Sequence, residues 1–199
     1  GCGNGWITHI WQKRGFQVVG LEPSPQNRKV CQERYGFPLL DIPAESMNHM
    51  EQFDIITIRH LLEHIEHPLK LLDKIKQALK PTGLLLLTSP NIDCLGRYLF
   101  TINWLWDLPH HSHFFRPKPL IRLLQNHGFK ILHSYQSASP LYYFWAILKI
   151  YEQRPRVYRC LLFLQYPILI LLTPWLWLSA LLGHGENITV ICRKTLSNV

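Results

Sequence analysis

The chain has 199 residues, 47% hydrophobic and 17% charged, which suits one α/β domain with a sizeable core and excludes two ordinary domains, a disordered chain or a coiled coil. Five cysteines, Cys2, Cys31, Cys94, Cys160 and Cys192, stand far apart without a C-x-x-C pair. That excludes a disulfide-rich secreted scaffold and a cysteine zinc finger, and it fits a reducing compartment.

In chain order, residues 6–14 place Trp6, Ile7, Ile10 and Trp11 at helical spacing, and Gly15 stops the helix. Residues 16–22 (FQVVGLE) form a short buried strand ending on an acid. Ser24 is an N-cap with Pro25 at the first helical position, opening a helix that Gly36 closes. A second strand, 37–41, also ends on an acid, and a third is 53–58 (FDIITI). Residues 68–80 form a helix with Leu69, Leu72, Ile75 and Leu79 on one face, and Lys80-Pro81-Thr82-Gly83 is a turn into a strand at 84–88. A helix at 120–127 ends at Gly128, a strand follows at 129–135 (FKILHSY), and the last strand is 187–192 (NITVIC). Strands alternating with helices predict an α/β domain with a parallel sheet covered on both faces. Its ligand belongs in the crevice beyond the carboxyl ends of the strands, where Glu22 and Asp41 fall.

Gly1-Cys2-Gly3-Asn4-Gly5 precedes the first helix. Alternate glycines let the backbone turn tightly and let a ligand lie against it without a Cβ in the way. The spacing departs from the G-x-G-x-x-G dinucleotide fingerprint. Glu22 is placed to accept hydrogen bonds from a ribose diol, and Asp41 adds a polar group where an adenine would lie. The plainer alternative is an ordinary α/β turn with two solvated acids.

Six segments are telling together: GCGNG, VVGLEPS, LLDIPAES, FDIITIRHLLEHIEHPLKLL, LKPTGLLLLTSPN and DLPHHSHFFRPKPLIRLLQNHGFKI. With them the sequence resembles the class I S-adenosylmethionine-dependent methyltransferases, more narrowly the bacterial branch related to ubiquinone-type O-methyltransferases. The resemblance covers roughly residues 1–135 and resumes at 187–194. It implies an α/β, Rossmann-like, mostly parallel seven-stranded sheet whose last strand runs antiparallel. It also implies S-adenosylmethionine as cofactor and carries over Gly1, Cys2, Gly3, Glu22, Pro23, Asp41, Ile42 and Arg59 as its contacts. The family's first strand, with an acid just before the glycine loop, would precede Gly1, so the chain is expected to be a fragment of a longer protein. The implied reaction is in-line attack by an oxygen on a sulfonium methyl, with nitrogen and carbon acceptors left open.

Two histidine groups stand out. His60-Leu61-Leu62-Glu63-His64 also spells an inverted zinc-protease motif, H-x-x-E-H. That motif needs one long helix, whereas here it follows a strand and precedes Pro68, a strand-to-helix junction; no metal is expected. His110-His111-Ser112-His113 follows Trp104, Trp106 and Asp107 and precedes Phe114 and Phe115. The histidine pKa near neutrality suits proton abstraction from a hydroxyl, so His111 and His113 are the candidate catalytic residues, as base or substrate contacts. Solvated or structural loop histidines are the bland alternative.

The net charge of +8 is concentrated in one stretch. Residues 108–159 carry eight basic side chains against the single acid Glu152, and residues 160–185 carry no Lys, Arg, Asp or Glu. Nucleic acid would attract the charge but gives no reason for the adjoining apolar run, so the expected partner is an anionic membrane surface. Residues 160–182 are 23 uncharged residues, long enough to span a bilayer. A span would separate the flanking strands of one sheet, and Pro167 and Pro174 are expected to break the run. The expectation is therefore a helical element dipping into one leaflet. Residues 141–151 would lie at the surface, with Lys149, Arg154, Arg156 and Arg159 on headgroups. The layout is a core at 1–136, a membrane-associating insertion at 137–185, and a last strand and tail at 186–199. The reading is a cytoplasmic, peripherally attached methyltransferase for a lipid-linked or membrane-associated acceptor. A soluble sugar or metabolite acceptor and a non-catalytic remnant are the alternatives.

Overall fold

A computed structural model describes residues 1–48, 50–104 and 110–195; Trp106 and Asp107, named above beside the histidine loop, lie outside the described residues. One sheet holds four strands: β1 (Phe53–Arg59), β2 (Leu79–Pro90), β3 (Phe129–Ser137) and β4 (Asn187–Lys194), in the order β1-β2-β4-β3. β1 runs parallel to β2, and β4 runs antiparallel to both β2 and β3. The carboxyl ends of β1, β2 and β3 therefore share one edge with the amino end of β4. Helices α1 (Trp6–Lys13) and α2 (Pro25–Tyr35) precede β1, α3 (Pro68–Ala78) joins β1 to β2, and α4 (Leu95–Phe100) and α5 (Pro117–Asn126) lie between β2 and β3. Between β3 and β4 come α6 (Pro140–Ile150), α7 (Pro155–Phe163) and α8 (Gln165–Leu181).

Local signals set the helix ends. Pro25, Pro68, Pro117, Pro140 and Pro155 each occupy the first turn of a helix, where the missing N–H has no intrahelical partner to lose. The Ser24 hydroxyl accepts from the Asn27 amide at 3.4 Å, and Gly15, Gly36 and Gly128 take positive φ where α1, α2 and α5 stop. The main core lies where Leu72 and Ile75 of α3 and Leu120 and Leu124 of α5 meet the sheet. From the sheet side, Leu85, Leu87 and Val190 fill it. Each such side chain contributes about 1.5–3 kcal/mol by leaving water. Leu69, expected on that face, is half exposed, and Leu71 is buried instead.

The sheet is mixed and four-stranded, not the seven-stranded, mostly parallel sheet expected. Residues 16–22 and 37–41 run side by side but join only through the parallel bridge Leu21↔Leu40, with Leu40 N–H donating to the Gly20 carbonyl at 2.8 Å. The other flank of 16–21 faces an apolar cavity of about 180 Å³, which β1, α1 and α3 also line. Joined among the described residues by that one bridge, these segments stay extended without entering the ladder. The expected turn at 80–83 is taken up inside β2 as a register shift between Phe53↔Leu79 and Ile55↔Leu84.

The apolar run also differs from expectation. It bends by 71° between α7 and α8 at Leu164, not at its prolines. Pro167 sits in the first turn of α8, and Pro174 is carried inside the helix, with the Thr173 hydroxyl donating to the Leu169 carbonyl at 2.7 Å. Helix α6 is not a surface helix throughout, because it buries Tyr143, Phe144, Ala146 and Leu148. Among the described residues no single helix is long and apolar enough to cross a membrane.

Candidate functional site

The glycine loop and the first extended segment meet at the carboxyl edge. Gly3 and Gly5 hold φ of +55° and +77°, in the left-handed region, and a Cβ on Gly5 would collide with the Cys31 sulfur. The Cys2 amide donates to the Leu21 carbonyl at 3.0 Å, which lays the loop along the segment that ends in Glu22. Glu22 is only 5% exposed. One carboxylate oxygen accepts from the Gly3 amide at 2.7 Å, and the other accepts from the Ser24 amide at 3.1 Å and the Asn27 side chain at 3.4 Å. Burial pushes the Cys2 thiol up from its ordinary value.

Asp41 is mostly exposed and bound through both oxygens to Arg28 at 2.8 Å, the fork geometry that suits guanidinium and carboxylate. The same guanidinium donates to the carbonyls of Glu22 and Pro23 at 2.9 and 2.7 Å, so Arg28 ties the ends of the two extended segments together. Ile42 follows, half-buried. Gly1, Cys2, Gly3, Glu22, Pro23 and Asp41 thus share one flank. Arg59 closes β1, and its charge lowers the pKa of the Tyr142 hydroxyl against the larger upward effect of burial.

The opposite flank is organised by Glu63, which is fully buried. His60 takes a left-handed φ of +49° at the end of β1 and turns the chain inward to the short 3-10 turn Leu62–His64. The Ser89 hydroxyl at the end of β2 donates to one Glu63 oxygen at 3.0 Å, and His60 Nδ1 lies 3.4 Å from the other. The Glu63 carbonyl accepts from the Ser112 and His113 amides at 2.8 and 3.0 Å, which brings the distant histidine loop to the strand ends. The His111 ring lies against His64 with centroids 4.7 Å apart, and His113 stacks on Phe115. His113 Nδ1 is buried without a hydrogen-bond partner among the described residues. Glu63, His64 and His111 each offer a ligand atom, all within 4.8 Å of one another, so a divalent ion has a place there.

A second buried acid, Glu186, joins the helical insertion to this flank. Its carbonyl accepts from the Asn91 amide at 2.8 Å, and its Oε1 accepts from the Ser139 amide that opens α6. Asn91, itself buried, donates from its side chain to Gln136 Oε1 at 2.9 Å and the Gly185 carbonyl at 2.8 Å. Glu186 Oε2 has no partner among the described residues, and burial pushes its carboxyl up to about 7. Burial, Glu186 and Cys94 also push up the neighbouring Tyr143 hydroxyl.

The structure therefore collects the glycine-loop residues and the histidine loop at one strand-end edge. Reasoning from sequence passed over Glu63 as a hub and missed Ser89 and Glu186 as buried partners. A signal was present for each acid: Glu63 directly follows two leucines, and Glu186 is the first charge after the uncharged run.

Residues 1–134 match the family model described as "Methyltransferase domain". Among curated proteins, the "Ubiquinone biosynthesis O-methyltransferase" of Rhodopseudomonas palustris (strain BisA53) is 31% identical over 142 residues, covering 63% of this chain and 54% of that protein. The protein of the same description from Psychrobacter arcticus is 28% identical over 111 residues, covering 51% and 43%. The chain thus spans about half the length of these curated relatives. Among solved structures, a SAM dependent methyltransferase from Archaeoglobus fulgidus aligns with a TM-score of 0.65 at 18% identity, covering 98% of this chain and 83% of that one. The [4+2]-cyclase SpnF aligns with the same TM-score at 15% identity, covering 99% and 74%. At such identities the likeness is one of fold, and the fold alone does not choose the reaction.

Proposed function

The chain belongs to the methyltransferase domain family, and from that premise we propose that it moves a methyl group from S-adenosylmethionine to an oxygen of a lipid-linked or membrane-associated small molecule. The observation that carries this reading is the buried Glu22 carboxylate held against the Gly3 amide at the mouth of the glycine loop. A carboxylate with acceptor capacity beside a backbone free of Cβ atoms fits a ribose diol on a flat, close-lying ligand. Asp41 then borders the adenine side, with Arg28 holding it in place. Gly1, Cys2, Pro23 and Ile42 complete that wall, and Arg59 at the end of β1 is the remaining candidate contact.

When bound, S-adenosylmethionine supplies a methyl group already activated by a positive sulfur. The chain's own work is then alignment, exclusion of water and removal of one proton. The acceptor oxygen forms its bond to the methyl carbon as the carbon–sulfur bond breaks, and its proton passes to His111 or His113. Glu63 positions that loop by accepting its two amides. Relatives named for O-methylation in ubiquinone biosynthesis support an oxygen acceptor. The uncharged helices growing from the crevice edge support an acceptor with an apolar tail.

The finer architecture belongs to the same proposal. The apolar cavity is lined by residues 16–21 and by β1, which is an edge strand of the described sheet. A strand placed there ahead of the glycine loop, together with 16–22 and 37–41, brings the four strands to seven.

Glu22→Ala tests the reading on the intact protein. Loss of a charge-assisted contact of about 1.5–3 kcal/mol weakens S-adenosylmethionine binding at least ~10-fold by calorimetry. Unchanged affinity in a folded variant removes this crevice as the cofactor site.

A further inference from the structure

We infer that α7, the outer face of α8 and the neighbouring α4 segment form one surface that docks into an anionic lipid leaflet. Helix α8 divides lengthwise. Its inner side sends Leu172 and Leu176 into a small core with Cys94, Trp104, Tyr143 and Ala146. Its outer side is wholly apolar and open to solvent: Tyr166, Ile170, Leu171, Trp175, Trp177 and Leu181 are between 66% and 84% exposed. At 100° per residue those positions sweep about half the circumference, far wider than a stray surface leucine. Helix α7 buries none of its residues, and Phe163 at its end is 84% exposed.

Charge selects the occupant. Lys149 sits in the last turn of α6, Arg154 caps α7, and Arg156 and Arg159 lie on α7; no ion pair of these four is found among the described residues. Basic side chains bordering an uncharged, tryptophan-bearing face complement anionic headgroups over acyl chains. A second protein would match the apolar area as well, but its surface gives no comparable reason for a rim of four cations against the single acid Glu152.

Length selects the mode. At about 1.5 Å per residue the 17 residues of α8 reach about 26 Å, short of the ~30 Å hydrocarbon core. The 71° bend at Leu164 prevents α7 from extending it in line. The pair therefore lies in or dips into one leaflet.

Topology then aims the crevice. The insertion leaves β3 at Ser137 and returns to β4 at Asn187, register partners at the edge that holds Ser89, Glu63 and the histidine loop. Tyr98, Leu99 and Ile102, which follow β2 on that edge, are exposed too. Docking thus sets the crevice mouth beside the leaflet. This orientation rests on the crevice being the reactive site, whereas the docking face does not.

Co-sedimentation of the intact protein with vesicles tests the inference. Phosphatidylcholine vesicles containing one quarter phosphatidylglycerol are expected to carry the protein down at least ~10-fold better than phosphatidylcholine alone. The triple variant Arg154→Glu, Arg156→Glu, Arg159→Glu is expected to lose roughly 100-fold in partition. Trp175→Ser with Trp177→Ser is expected to lose at least ~10-fold. All these side chains are exposed, so unfolding midpoints should match the parent. Protein left in the supernatant with both vesicles overturns the inference, as does sedimentation indifferent to the arginine variant. A dimer seen by light scattering and dissolved by the tryptophan variant also overturns it, by assigning the face to a second copy. Calorimetry with S-adenosylmethionine on the same samples separates the two readings. Cofactor binding without vesicle binding counts against the docking face alone, and the reverse counts against the methyl-transfer reading alone.

Discussion

The two flanks of the strand-end crevice are built from opposite kinds of contact. On the glycine flank, Gly3, Glu22, Ser24, Asn27, Arg28 and Asp41 are joined within the first 41 residues, by bonds spanning 2 to 19 positions. On the histidine flank, Glu63 meets Ser89 across 26 positions, Glu186 meets Ser139 across 47, and Asn91 meets Gly185 across 94. The first flank is a clamp that the glycine loop, the two extended segments and α2 assemble. The second exists only when β1, β2, β4 and the histidine loop have all come together. A ligand-holding site can be made locally, whereas a buried acid among histidines needs the whole domain to exclude water around it.

The largest effects should fall on the second flank. His111→Ala or His113→Ala is expected to lower turnover by roughly 10²–10⁴ while leaving cofactor affinity intact, read by steady-state kinetics beside calorimetry. Equal activity of both variants and the parent returns the loop to a structural role. A chelator should leave the parent active. Loss on chelation, restored by added ion, would instead move the chemistry to Glu63, His64 and His111.

Next is the pH dependence that Glu186 imposes. Its carboxyl rises from 4.5 to about 7 on folding because burial opposes the charged form. Between those values the native state holds a proton that the unfolded chain has released, so stability falls as pH rises through the window and levels off above it. The loss is at most about 3 kcal/mol. Glu186→Gln keeps an acceptor for the Ser139 amide and should flatten that slope in denaturant titrations at pH 5 and 8. A slope unchanged by the substitution would show that another group carries it. Such a result would leave the long-range flank without the pH signature expected from its buried acid.

The smallest effect belongs to the local flank. Ser24→Ala removes the hydroxyl that caps α2 and should cost about 1 kcal/mol, a fall of roughly 2–4 °C in Tm for a domain of this size. Because Ser24 also offers its amide to Glu22, cofactor affinity should change little. A large loss of affinity would mean that the clamp depends on the cap and is less independent than its short contacts suggest.

Much of the fold was legible from neighbouring residues. The openings at Pro25 and Pro68, the glycine stops at Gly15, Gly36 and Gly128, and the Ser24 cap were read where they stand, whereas the openings at Pro117, Pro140 and Pro155 were not. Each is set by φ or by one hydrogen bond inside a single turn. The strands at 53–58, 129–135 and 187–192 were found, slightly short, because apolar runs between turn residues need no partner to be recognised. The segment 16–22 reads just as well as a strand, yet it joins no ladder, since pairing depends on what lies beside it. Leu69 shows the same limit, because helical spacing marks a stripe but not its edge.

The sequence by itself therefore determined the α/β order, the glycine loop with Glu22 and the uncharged run at 160–185, each specified by residues near one another in the chain. Tertiary structure alone decided that four strands pair, that the apolar run bends at Leu164, and that Glu63 and Glu186 are buried at one edge. It also decided which half of α8 faces outward. The physical reason is that burial and pairing are properties of neighbours in space. The residues that enclose Glu63 or leave Trp175 open come from strands and helices dozens of positions away, and no local pattern encodes their arrival.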